Sequence, residues 1–443
     1  MMTGQTILFW GTGMARLKVS AAHRLAVLAT TAIFMAATTM AAHAATVCNV
    51  RDYGAKGDGA TKDTAAIQKA IDACAEKGGG TVRLPEGNYL SAPIVLKSNI
   101  TLHLDKGATL LGSTDHSDYP EITEFRAPGL QSLVSAKDAS NITINGEGTI
   151  NGQGESWWEM ARHTPGSGIL GSHHPRPRLV VFDHCKNIVI EGVTIENSPM
   201  WQVVPYYSDN VTIRNVRILA PQHSPNTDAM DPFSSSNVVI ENVYADVGDD
   251  NVAIKSGMIN SPGPDSPSRN ITVRNCVFMH GHGMSIGSEL AGGAQNITAE
   301  HIQFEGTDQG IRVKANRDRG NVVKNLVFRD LTMKDVKNAI VISEYYPRIA
   351  PAGGVEPAPV GRLTPHFSDI TIENVTATGG ASAGAIFGLP ESPVKDVVMK
   401  NVKISAQKGL TIGYADVTGK DVQVTAAQGE GITKLEGANV NLK

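Results

Sequence analysis

Asn226, Thr227 and Asp228 open the stretch NTDAMDPFSSSNVVIENVYADVGDD, which closes on Asp249 and Asp250. His282 follows in GHGMS, Arg312 and Lys314 in IRVK, and Tyr345-Tyr346 in SEYYP. Three carboxylates brought together cannot all ionise freely, so at least one keeps its proton near neutrality. A carboxylic acid beside a carboxylate is the pair that glycoside hydrolysis needs: the acid protonates the leaving oxygen and the carboxylate activates water. An Arg and a Lys beyond that pair would grip a substrate carboxylate through charge-assisted hydrogen bonds. Clustered acids could also cage a metal. Here, however, His, Arg and Lys stand among them, and calcium favours acids and carbonyls without nearby positive charge. Taken singly, each residue has a plainer reading, since a lone Asp is usually a turn residue.

These groups act together only if the fold stacks them. From about residue 95 one phrase recurs: NITLHL, NITING, NIVIEGVTIENS, NVTIRNVRI, NVVIENVYA, NITVRNCVF, NITAEHIQF, NLVFRDLTM, DITIENVTA and DVVMKNVKI. Each is a β-branched run of period two, opened by Asn or Asp and followed by a polar or Gly-rich corner. The openers Asn210, Asn237, Asn270, Asn296 and Asn325 stand 26 to 33 residues apart. Self-similarity of this kind means a solenoid. No Leu-rich phrase with its helix is present, and an antiparallel sandwich has little reason to repeat an Asn opener. The expectation is an all-β, right-handed parallel β-helix whose coils stack about 4.8 Å apart. One stretch reads clearly as a helix, TAAIQKAIDACAEKGG, placed to cap the open N-terminal end of the core.

In such a solenoid, residues one coil apart lie side by side. Asp228 and the Asp249-Asp250 pair, then His282, then Arg312 and Lys314, then Tyr345-Tyr346 fall about one coil apart and would form a stripe up one face. Adjacent strand residues point to opposite faces, so Asp249 and Asp250 can share a groove only if Gly248 marks a local bend.

The chain has 443 residues and a formal net charge of −4, which argues against a general nucleic-acid binder. Arg16, Lys18 and Arg24 precede the apolar run LAVLATTAIFMAATTM, and Ala42-His43-Ala44 offers a cleavage site. Residues 1–44 therefore read as an export leader, with 1–13 an upstream extension before Met14, and residues 45–443 as one exported domain, extracellular or periplasmic. No later segment is apolar enough to span a membrane, and a monomer is expected. Of four cysteines, Cys48 and Cys74 flank one short unit and could form a disulfide, whereas Cys185 and Cys276 sit in apolar runs as buried thiols.

Together the blocks SPNTDAMD (224–231), GDDNVAIKSG (248–257), GHGMSIGSE (281–289) and IRVK (311–314) resemble the polygalacturonases, glycoside hydrolase family 28. YGAKGDG near the start and GQGESWWE before the active region extend the likeness over nearly the whole mature chain. The resemblance implies hydrolysis of α-1,4 links in polygalacturonate or pectin, inverting at the anomeric carbon, with no metal or organic cofactor. It implies Asp249 as general acid, Asp228 and Asp250 as the carboxylates on the water, and His282 as the group tuning the acid. It also implies Arg312 and Lys314 as the grip on the galacturonate carboxylate past the cleaved bond, with Asn226 orienting the acidic group. The family's tyrosine position selects Tyr346 over Tyr345, and Val313 replaces the family's Ile. The motif wording is nearest to bacterial enzymes that cut in mid-chain. Cleavage from a chain end is the alternative, because the insertions at 161–178 and 345–365 could wall off one end of the groove. A calcium-dependent pectate lyase and a non-catalytic glycan-binding β-helix are the remoter readings.

Overall fold

The computed structural model describes residues 46–443 apart from 165, 168–171 and 352. The leader expected at 1–44 lies outside the described residues. Among them, no helix is long and apolar enough to cross a membrane.

The recurring phrases form the strands of a right-handed parallel β-helix, nearly every pairing being parallel and one coil apart in sequence. The alternation does what period two demands. In Asp209–Arg214, Val211 and Ile213 are buried while Asn210 and Arg214 face solvent. The parallel register then stacks like upon like: Ile188, Val211, Val238, Ile271, Ile297 and Leu326 form one buried aliphatic column.

The Asn openers have a physical cause. Asn141, Asn187, Asn210, Asn237, Asn270, Asn296 and Asn325 all sit at positive φ, the left-handed region that Asn tolerates best among residues with a side chain. Their amides bond coil to coil, for example Asn210 Nδ2 to Asn187 Oδ1 at 2.8 Å and Asn296 Nδ2 to Asn270 Oδ1 at 3.0 Å. The corner thus bends the chain and satisfies its side chains in one ladder.

Helix α1 (Thr64–Glu76) buries Ile67, Ala70, Ile71 and Cys74 against the first coils. Each fully buried Ile there is worth about 1.5–3 kcal/mol. Cys74 is disulfide-bonded to Cys48, with Cα atoms 6.1 Å apart, and Cys185 and Cys276 are free and buried. Burial pushes those two thiols up to about 11 and about 12, which makes them inert.

Two elements depart from the sequence reading. A second helix, α2 (Glu155–His163), buries Trp157 and Trp158, the latter donating from Nε1 to the Ser198 carbonyl at 2.9 Å. An antiparallel hairpin pairs Glu121–Glu124 with Ala127–Leu130.

The functional face is a stack of parallel strands, among them Val203–Tyr206, Val252–Ile254, Met284–Ile286, Gln309–Lys314 and Asn338–Ser343. Ile254, Ile286, Val313 and Ile342 point into the core in one column. The alternate positions point outward. Ser285, Arg312 and Val341 form one outward column, and Lys255 and Lys314 belong to the next.

Candidate active site

The acids sit on turns that precede strands of this face. Asp249 and Asp250 lie in the turn between Tyr244–Asp246 and Val252–Ile254, outside regular strand, so both can face the groove. Gly248 makes the turn possible: a Cβ there would meet the Ser224 carbonyl oxygen at 2.2 Å. Its N–H donates to Thr227 Oγ1 at 3.1 Å, tying this turn to the one carrying Asn226 and Asp228. The expected bend is present, and close backbone approach is its cause.

Asn226, Asp228, Asp249, Asp250, Lys314 and Tyr346 all line one cavity of about 450 Å³, while His282 and Arg312 adjoin it through Asp249 and Asp250. Tyr345 instead donates from its hydroxyl to the Gly388 carbonyl at 2.9 Å, leaving Tyr346 in the site.

Two charge clusters occupy the floor. In the first, Asp250 accepts from Lys314 Nζ at 2.7 Å, Ser285 Oγ at 2.6 Å and Arg312 Nη1 at 3.1 Å. His282 Nδ1 lies 2.9 Å from Asp249 Oδ1 and 3.9 Å from Asp250. In the second, Lys255 Nζ is shared among Asp228 at 3.5 Å, Asp231 at 3.7 Å and Glu289 at 3.5 Å, 4.7 Å from the Trp201 ring centre. Single oxygens of Asp249 and Asp250 and a nitrogen of His282 fall within 4.8 Å of one another, a set that could hold a cation. Lys314 and Arg312 already bonded to Asp250 argue against a divalent ion there.

The two clusters split the acids electrostatically. Burial raises Asp250, but Lys314 and Arg312 outweigh it and hold the carboxyl well below its usual range. Burial also raises Asp249, yet the hydrogen bond and charge of His282 win, and that carboxyl is lowered too. Burial pulls His282 down, but Asp249 brings it above its ordinary value, so the proton of this pair rests on the imidazole. Burial, with Asp249 and Asp231 nearby, lifts Asp228 well above the carboxylate range. Asp231, fully buried, is pushed up to about 7 by burial, with Lys255 opposing. Among these acids, Asp228 and Asp231 are raised and Asp249 and Asp250 lowered in the free site.

An acid raised from about 3.9 when unfolded to about 7 when folded binds more protons in the native state between those pH values. Native stability should therefore fall as pH rises from about 4 to about 7. Urea midpoints across that window should decline in the wild type and decline less steeply in Asp231→Asn, where Asp228 remains raised; parallel curves would contradict the assignment.

Sequence reasoning missed several groups. Arg176 is fully buried and donates to Asn226 Oδ1 at 2.6 Å and to the carbonyls of Pro199, Pro225 and Ser167. Asn226 in turn reaches Asp249 only loosely, at 3.5 Å. Arg319 bonds Ser288 at 3.2 Å and stands 5.4 Å from the Tyr346 ring centre. Lys255 was detectable: VAIK and IRVK both end on an outward Lys of the same strand position.

The profile of "Glycosyl hydrolases family 28" matches residues 74–437. An endo-polygalacturonase of Pectobacterium carotovorum is 32% identical over 370 residues, 79% of this chain and 86% of that one. The exopolygalacturonase structure from Thermotoga maritima superposes with TM-score 0.74 at 31% identity, covering 88% of this chain and 91% of that one. The family 28 exopolygalacturonase of Yersinia enterocolitica gives TM-score 0.78 at 25% identity, covering 90% and 78%. With its profile matched across most of its length and its acids and cations gathered on one solenoid face, the chain belongs to glycosyl hydrolase family 28.

Proposed function

We propose that this glycoside hydrolase cleaves α-1,4 links between galacturonic acids in polygalacturonate and pectin, by inversion and without a metal or organic cofactor. The observation that carries the reading is the Asp250 carboxylate, bonded to Lys314, Arg312 and Ser285 beside the Asp249–His282 pair in one cavity. That arrangement supplies an ionised base, a proton source and cations for a sugar carboxylate. The nearest approach of Asp249 and Asp250 is shorter than the 6.5–9.5 Å typical of inverting pairs, so the stereochemical course rests on the family likeness.

The electrostatics divide the roles. A sugar carboxylate near Lys314 cancels part of the positive charge that lowers Asp249, and exclusion of water adds to the burial that raises it. Both changes draw the proton from His282 to Asp249, from which it passes to the leaving glycosidic oxygen. Asp250, kept ionised, takes the proton of the attacking water. Asp228, which lines the same cavity beside Asp249 and Asp250, orients that water. Arg312, Lys314 and Tyr346 hold the sugar past the cleaved bond. Residues 1–44 are read as an export leader, so the enzyme acts outside the cytoplasm; N-terminal sequencing of exported protein should begin near Ala45.

The test is digestion of polygalacturonate with and without chelator, following new reducing ends and unsaturated ends together. Reducing ends should appear at equal rates in both, with no unsaturated product. Unsaturated ends that vanish in chelator and return with calcium would replace hydrolysis by elimination. Lys314→Ala should raise KM about 10- to 100-fold, the worth of a hydrogen bond to a charged group. It should also move the acid limb of kcat to higher pH, because Lys314 is the strongest cation holding Asp250 ionised. Unchanged KM and pH profile would remove the grip.

A further inference from the structure

On the N-terminal side of the acids, the sugar-binding face is crossed by the hairpin Glu121–Glu124/Ala127–Leu130. It leaves a connection that precedes a strand of this face, on the rim that also carries Asn226–Asp228. Its tip lands on the other rim, where Arg126 donates to the Tyr207 hydroxyl at 2.9 Å and pairs with Asp265 at 3.1 Å. Arg362, from the 345–365 insertion, approaches the same Asp265 at 3.9 Å. Of the two insertions expected to form a wall, this one contributes a latch and the other supplies Arg178; the span itself is the hairpin.

The tip is a two-residue turn with Phe125 at φ 50° and Arg126 at φ 64°. Turns with two positive φ values prefer Asn-Gly, and bulky residues there are outliers that mark a function elsewhere in the side chain. Phe125 is buried, its ring 4.5 Å from Tyr206, 5.7 Å from Phe233 and 6.2 Å from Trp201 between centres. Arg178 lies over both Phe125 and Trp201 and is paired with Glu124 at 2.7 Å. Beyond Trp201 comes Lys255 and then Asp228, so the plug stands next to the acids. Toward the C-terminus the same face carries a further cleft of about 460 Å³, lined in part by Ile349, Phe387 and Leu435.

We propose that this strap seals the face at its N-terminal end and confines cleavage to the non-reducing ends of chains, with Phe125 and Arg126 as specificity-determining residues. The inference rests on the reading above that Arg312 and Lys314, on a later coil than the acids, hold the sugar past the cleaved bond. The sealed end then faces the non-reducing side, and only a short terminal piece fits between wall and acids. On this proposal the enzyme releases one short product, where the motif wording would have it cut in mid-chain.

The experiment digests polygalacturonate tagged at its reducing ends and separates the earliest products. One short untagged product is expected, with slow loss of viscosity. An early ladder of oligomers would overturn the seal, and a short tagged product would overturn its direction. Phe125→Asn with Arg126→Gly installs the pair this turn prefers, removing plug and latch while favouring the hairpin. That variant should switch to a ladder at a comparable rate of bond cleavage. Asp265→Asn, which weakens the latch and leaves Phe125 in place, should admit longer products. Unchanged single-product release in both variants would overturn the role of the strap. No hydrolysis of any kind by wild-type protein would instead remove the polygalacturonase reading itself.

Discussion

Asp249→Asn is expected to lower kcat by about 10²–10⁴-fold, the usual contribution of a positioned proton donor, with KM for polygalacturonate nearly unchanged. Asn keeps the shape of the side chain and an oxygen for His282 Nδ1, now 2.9 Å away, so packing and the imidazole's position should persist. What would disappear, on the proposed roles, is the atom that carries the proton to the leaving oxygen. The fold should be indifferent, because Asp249 lies in a turn whose backbone is held by other groups, including the His282 N–H to the Asp249 carbonyl at 2.9 Å. Near-normal turnover would show that the proton comes from elsewhere, and the raised Asp228–Asp231 pair would be the next group to test.

The second large effect concerns a residue outside the acid/base set. Lys255→Met keeps the length of the side chain and its contact with Trp201 but leaves Asp228, Asp231 and Glu289 without their shared cation. Removing one partner of a buried charge cluster typically costs about 3–5 kcal/mol. The loss should depend on pH with a definite sign. Protonation relieves repulsion among the stranded carboxyls, so the deficit should be smallest in acid and grow as pH rises past about 7, where Asp231 ionises. Adding Asp231→Asn to Lys255→Met should recover part of the lost stability, since the two residues share a contact. Paired urea titrations at acid and mildly alkaline pH measure this, and a deficit independent of pH would mean that Lys255 matters through packing alone.

Much of this was legible because a solenoid writes its geometry along the chain. Asn210, Asn237, Asn270, Asn296 and Asn325 repeat because one corner of every coil needs positive φ and a bridging amide, two demands Asn meets at once. That repeat fixes the coil length, and the coil length carries Asp228, Asp249, His282 and Lys314 to one face. The hairpin was not legible, because its turn uses Phe125 and Arg126 where Asn-Gly would announce one; its reason lies in contacts across the face. Helix α2 was hidden for a related cause. It is nine residues long, starts at Gly154 without a side-chain cap, and is held by Trp157 stacked on His116 at 3.5 Å. The proton distribution was half legible. Crowded acids imply one raised carboxyl, but which one depends on Lys255 and Lys314 falling under different acids, a matter of side-chain direction.

The Arg312–Lys314 pair also gains meaning from its surroundings. Both cations, together with Arg319, lie within 6.0 Å of the Tyr346 ring centre. On the proposed roles, an incoming sugar carboxylate would share them with Asp250 rather than find them free, and its binding would be coupled to the ionisation of that carboxyl.

The most direct measurement is a crystal structure of the Asp249→Asn protein with a short galacturonate oligomer bound. The account predicts a glycosidic oxygen beside residue 249, the carboxylate of the following sugar within hydrogen-bonding distance of Arg312 and Lys314, and no sugar beyond Trp201. An oligomer lying elsewhere, or one whose carboxylates avoid both cations, would contradict it.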